Sequence, residues 1–237
     1  MTVPIMQPGG EQERRPLQVI FLLDCSSSMQ GEKIAALNSA IKDVLPALKD
    51  ADEKTVEGRL QMRSIGFGSG AWWHIAKPTD IADVVWTDLP ANGVTDLGRA
   101  LGLLDQGLDR ESLGTHFLPP VLILVSDGQP TDSWMQPLAK LKSNRYWKHC
   151  VRLAIAIGQD AAHAPLKAFI DHPELEVLQA DNARALGQYI RWSTTRVTES
   201  MRNSKTDGSG ELSPQDEAAK AQQDMGAPVA GLVWPAN

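Results

Sequence analysis

The feature that most constrains this chain is the run from Leu17 to Leu23, LQVIFLL, in which Gln18 is the only polar residue. A strand with one wet face alternates polar and apolar residues, whereas an almost unbroken run of β-branched and apolar side chains needs cover on both faces. The run therefore reads as a central strand of a sheet sandwiched between helices. A second such run, PVLILVSDG at 120–128, makes the same demand. Both runs stop at a carboxylate, Asp24 in one and Asp127 in the other.

Helical stripes separate these strands. Ile34, Leu37, Ile41, Val44, Leu45 and Leu48 recur at threes and fours, with Pro46 expected to bend the helix late. Leu97, Leu101, Leu104 and Leu108 mark another helix, starting after Thr95 and Asp96. RLQMRSIGF (59–67) reads as a strand with AWWHIA (71–76) as its antiparallel hairpin partner, and VRLAIAIG (151–158) and ELEVL (174–178) as further strands. Helices are expected near 133–143, 165–170 and 181–196. Strands alternating with helices through short connections imply an α/β fold: a doubly wound, mostly parallel sheet with one antiparallel edge strand and helices on both faces. With 42% hydrophobic residues in 237, one core is affordable. The expected division is a leader at 1–16, one domain at 17–196, and a disordered or loosely docked tail at 197–237, where no apolar period is seen. Within that tail VAGLVWPAN could dock as a short element, and Thr198, Ser200, Ser204, Thr206, Ser209 and Ser213 are candidate phosphorylation sites.

Several function classes drop out early. A formal charge of -6 with scattered lysines and arginines leaves no footprint for nucleic acid. No signal-peptide core and no run of 18 apolar residues is present, so no membrane partner is expected and the location reads as cytoplasmic. Cys25 and Cys150 form no CxxC pair and fall at opposite ends of their strands, about 20 Å or more apart, so two free thiols are expected. GFGSGA (66–71) matches a dinucleotide fingerprint, but β-prone residues follow it where that site needs a helix. The five histidines lack zinc-ligand spacing, and the serine-hydrolase pattern G-x-S-x-G is missing.

What remains is a constellation of oxygens. In a doubly wound sheet, functional groups collect beyond the carboxyl ends of the strands, where the strand order reverses. If the order is 3-2-1-4-5-6, then Asp24, Ser26 and Ser28 leave the first strand beside Asp127, and Thr95 joins them from the loop before its helix. Each has an ordinary alternative: Ser28 as a helix cap, Thr95 as an N-cap, Asp127 as a turn residue before Gly128. Asp96 reads as a counter-charge to its helix N-terminus and Asp132 as a solvated turn residue.

The segments DCSSS, NGVTDLGRAL and LVSDGQPTD together resemble the von Willebrand factor A (VWA) domain over roughly residues 17–195, and in particular its metal-ion-dependent adhesion site (MIDAS). The resemblance implies a Rossmann-like VWA fold with a Mg²⁺ ion, or Mn²⁺ or Ca²⁺, held by Asp24, Ser26, Ser28, Thr95 and Asp127. On the family pattern Ser26 and Ser28 bind the metal directly, Thr95 directly or through water, and Asp24 and Asp127 mostly through water. Mg²⁺ wants six oxygens at about 2.0–2.1 Å. Neutral hydroxyls would leave it electrophilic toward a carboxylate of a partner protein. Without metal, the two aspartates would face each other with no neutraliser, so the site is expected to be more stable loaded than empty. The leader RRPLQVIFLLDCSSSM and the segment GSGAWWHIAKPTDI further resemble the TerY-like group of tellurium-resistance proteins. That likeness implies an adaptor or scaffold, not an enzyme, in a chemical-stress assembly with a Ser/Thr protein kinase and a protein phosphatase. A Mg²⁺-dependent phosphohydrolase, and a scaffold whose metal is only structural, are the alternatives.

Overall fold

In the computed structural model, residues 14–54, 58–159, 161–203 and 213–225 are described. Strand β1 (Arg15–Asp24) carries the LQVIFLL run, and it is buried along its whole length from Leu17. It lies parallel to β2 (Gly58–Gly68) on one side and to β4 (Val121–Ser126) on the other. Beyond β2, strand β3 (Gly70–Asp80) runs antiparallel; beyond β4 come β5 (Val151–Ile157) and the short β6 (Leu178–Ala180). The six-stranded order is β3-β2-β1-β4-β5-β6, the doubly wound sheet with one antiparallel edge that the apolar runs require. Lys77 and Pro78 on β3, and the three-residue length of β6, blunt the two edges against pairing with another chain.

Helix α1 (Glu32–Glu53) connects β1 to β2 and packs against α6 (Ala183–Asn203). Pro46 is accommodated within α1, which continues to Glu53. Helix α2 (Leu97–Gly107) leads toward β4 and packs against α4 (Met135–Lys142), with the one-turn α3 (Arg110–Leu113) between α2 and β4. The chain therefore leaves β1 for one neighbour and reaches the other only after returning. Right-handed crossovers put α1 and α2 on opposite faces and open a crevice beyond the carboxyl ends of β1 and β4. Helix α5 (His163–Ile170) lies against β5.

The glycines of GFGSGA serve the β2–β3 hairpin. Gly68 pairs with Gly70 across Ser69, Gly70 has φ +91°, and a Cβ on Gly66 would collide with the Trp72 indole at 2.7 Å. No helix begins there to receive pyrophosphate.

Strand β6 forms at Leu178–Ala180 rather than at 174–178. Leu175 is buried, which explains the strand-like alternation, but the Glu176 backbone does not pair with β5. The Gln222 side-chain amide takes both of its bonds instead: Glu176 N–H donates to Gln222 Oε1 at 2.8 Å, and Gln222 Nε2 donates to Glu176 O at 2.9 Å.

Gln222 belongs to α7 (Pro214–Gln223), which falls where a disordered or loosely docked tail was expected; α6 also continues past Val197 to Asn203. Helix α7 docks by a second glutamine of the same kind. Gln215 accepts from Arg152 N–H at 2.8 Å and donates to Arg152 O at 3.0 Å, with Ala218 and Ala219 fully buried beneath the helix. Two amides and two alanines leave no apolar stripe. Of the candidate phosphorylation sites, Thr198 is buried and donates to Thr194 O, and Ser213 closes a capping box with Asp216. Ser204, Thr206, Ser209, VAGLVWPAN and residues 1–13 of the leader lie outside the described residues, as does the side chain of Ser200.

Candidate metal centre

Asp24 is the last residue of β1, and its carboxylate is wholly buried. Ser126, the last residue of β4, donates its hydroxyl to Asp24 Oδ2 at 2.6 Å, and Ser26 N–H donates to Oδ1 at 2.8 Å. Burial raises the Asp24 carboxyl above its ordinary value; the Ser126 and Ser26 donors pull it back, and the nearby Asp127 charge adds to the rise. Past Asp24 the chain turns through a short 3₁₀ segment, Ser27–Met29, before α1 begins after Gly31, whose φ of +79° permits the reversal. Ser26 stands at the N-cap of that segment without a side-chain cap bond, and the N-cap of α1 is Gly31 rather than Ser28.

Ser28 turns to Asp127 instead. Its hydroxyl donates to Asp127 Oδ1 at 2.6 Å across 99 positions of sequence. The Ser26 and Ser28 oxygens lie 2.9 Å apart, and since the Ser28 proton is committed to Asp127, Ser26 is the donor between them. Four of the five expected residues thus form one connected network: Ser126–Asp24–Ser26–Ser28–Asp127.

Thr95 reaches the same place from the other side. The loop carrying it is pinned over the DCSSS turn by backbone bonds, Asn92 N–H to Cys25 O at 2.7 Å and Ser27 N–H to Gly93 O at 3.0 Å. Thr95 and Thr131 are also joined, Thr95 N–H to Thr131 Oγ1 and Thr131 N–H to Thr95 O. A Cβ placed on Gly128 would stand 3.5 Å from Ser28 Oγ and 3.6 Å from Thr95 Oγ1, so both hydroxyls border one small space beside Gly128. Behind the loop, Asn38 of α1 bonds Leu89 at both N–H and C=O and accepts from Trp86 Nε1.

Asp96 stands at the N-cap of α2, whereas the role expected for Asp132 is overturned. Asp96 makes no side-chain cap; its carboxylate accepts from Gly70 N–H at 2.8 Å and ties the hairpin tip to α2. Asp132 accepts from Gly98 and Arg99 N–H at 2.9 and 3.1 Å, so it is the counter-charge at the α2 N-terminus rather than a solvated turn residue.

One charge at this site is absent from the expected set. Lys33, in the first turn of α1, donates from Nζ to Asp127 Oδ2 at 2.6 Å. The two aspartates therefore do have a neutraliser. The signal was a lysine in the first turn of a helix, where the macrodipole disfavours a cation.

The donor set suits a hard cation. Three hydroxyls and two carboxylates offer only oxygen, as Mg²⁺, Mn²⁺ and Ca²⁺ require. Among the described residues no three His, Cys, Asp or Glu gather into a metal-holding group, so a cation here would rest largely on neutral hydroxyls.

The model of the von Willebrand factor type A domain matches residues 18–191. The chain belongs to this family. VWA domains are metal-dependent protein-interaction modules, generally non-enzymatic, with a divalent cation at the MIDAS. Solved structures agree on the fold. Proximal thread matrix protein 1 from the mussel byssus, with a zinc-occupied MIDAS motif, is 20% identical with a TM-score of 0.58, covering 76% of this chain and 48% of its own. A von Willebrand factor type A protein from Catenulispora acidiphila is 17% identical with a TM-score of 0.57, covering 76% and 42%. BatB from Bacteroides thetaiotaomicron is 13% identical with a TM-score of 0.56, covering 78% of this chain and 100% of its own. The chain thus spans less than half the length of the first two. Comparison with curated proteins gives no match.

Proposed function

We propose that this VWA domain holds a divalent cation, Mg²⁺ or Mn²⁺ or Ca²⁺, on Asp24, Ser26, Ser28, Thr95 and Asp127, and through it captures an acidic side chain of a protein partner. The observation that carries the reading is the Ser28–Asp127 bond, which brings the DCSSS turn and the end of β4 together across 99 positions. In this role Ser26, Ser28 and Thr95 hold the cation, while Asp24 and Asp127 balance its charge. The cation itself supplies the electrophilic contact to the partner carboxylate. Asp24 is positioned by Ser126 and Asp127 by Ser28.

The partner reading extends to a cytoplasmic tellurium-resistance or chemical-stress assembly containing a Ser/Thr protein kinase and a protein phosphatase. Its support is the TerY-like leader and hairpin segments and two free, buried cysteines, which fit a reducing compartment. The reading is of an adaptor, not an enzyme: the Ser28 hydroxyl donates to the Asp127 carboxylate, whose other oxygen takes the Lys33 ammonium.

Ser26→Ala with Ser28→Ala is the test. Binding of purified kinase or phosphatase candidates, measured by surface plasmon resonance with Mg²⁺ and with EDTA, is expected to vanish in the variant and in EDTA alike. Binding that survives both, with only thermal stability reduced, would mean that the metal is structural.

A further inference from the structure

Lys33 is in an unusual position for a lysine. It occupies the second residue of a 22-residue helix, the end at which the macrodipole repels cations. Its side chain is only 13% exposed, and the Asp127 side chain it meets is fully buried. A buried ammonium is retained only where a partner offsets its lost hydration, and Asp127 Oδ2 at 2.6 Å is that partner. The other Asp127 oxygen accepts from Ser28, so the carboxylate divides its two oxygens between an ammonium and a hydroxyl of the DCSSS turn.

We propose that Lys33 is a tethered counter-ion that competes with the divalent cation for Asp127. This rests on the metal reading above and adds to it a residue that sets the affinity. The ammonium neutralises Asp127 at contact distance. A divalent cation must then either share Asp127 with a positive charge a few ångströms away or displace it, and both weaken binding. Affinity is thereby held below what the same five oxygens would reach alone.

The test compares wild type with Lys33→Met and Lys33→Gln by isothermal titration with Mg²⁺ and with Mn²⁺, alongside thermal melts in EDTA. Both replacement side chains are one atom shorter than lysine and uncharged, so either suffices if the other folds poorly. Metal affinity is expected to rise by about tenfold, the ratio that corresponds to 1.4 kcal/mol of lost competition. The melting temperature in EDTA is expected to fall, and the gain on adding metal to exceed that of wild type. Equal or weaker metal affinity in both variants, while wild type binds, overturns the competition and leaves the metal site standing. No uptake by wild type or either variant overturns the metal site and the competition together.

Discussion

The Ser126 hydroxyl donates to Asp24 Oδ2 at 2.6 Å, joining the last residues of β4 and β1 across 102 positions of sequence. Both side chains are buried, so this bond is the floor of the crevice: it fixes the carboxylate that the DCSSS turn is then folded around. Ser126→Ala leaves a buried carboxylate short of one donor. Stability measured by urea unfolding is expected to fall by about 1–3 kcal/mol.

Asn38 holds the other wall. Replacing it with Ala strands buried groups of Leu89 and the Trp86 indole N–H, and the loss is expected to be about 1–3 kcal/mol. Because that loop carries Thr95, hydrogen exchange at 89–95 should accelerate more than exchange in β1, and the comparison distinguishes a local tether from general destabilisation.

Burial pushes both thiols up to about 12, helped at Cys25 by the neighbouring Asp24 charge. At pH 8 neither is a thiolate in the folded protein. Mass spectrometry after iodoacetamide treatment is expected to show no alkylation of the native protein and two adducts after denaturation.

Helix α7 should loosen in acid. The Ser213 hydroxyl and His172 hold the Asp216 carboxyl down at about 2, against an ordinary value near 3.8. A depressed carboxyl contributes stability that is present above its unfolded value and lost as pH falls through its folded one. Amide protection in 213–225 is expected to decline from about pH 4 to about pH 2 while the sheet keeps its own, and Asp216→Asn should flatten that decline.

The central sheet was legible because burial on both faces leaves an unmistakable trace: LQVIFLL and PVLILV needed no context to be placed at the middle. The crevice followed from strand order, and Asp24, Ser26, Ser28, Thr95 and Asp127 could be picked out as one group because their types and their places at element ends agree. What escaped detection depends on polar contacts that hydrophobic period does not record. Helix α7 docks through Gln215 and Gln222, which bond backbone as a neighbouring strand would, although Ser213, Pro214 and Asp216 do spell a helix start. Gln222 also explains why the alternation at 174–178 did not become a strand. Asp132 was read as a solvated turn residue because nothing local shows that the loop after β4 folds back to bring it to the α2 N-terminus. Lys33 went unnoticed for the same reason: its partner is 94 positions away.

Isothermal titration of the purified domain with Mg²⁺ and Mn²⁺, run on wild type and on Ser26→Ala/Ser28→Ala, bears most directly on the metal centre. The account predicts one ion per chain for wild type and no uptake by a variant that still melts cooperatively. Uptake undiminished by the two substitutions, or no heat with wild type across millimolar metal, would contradict it.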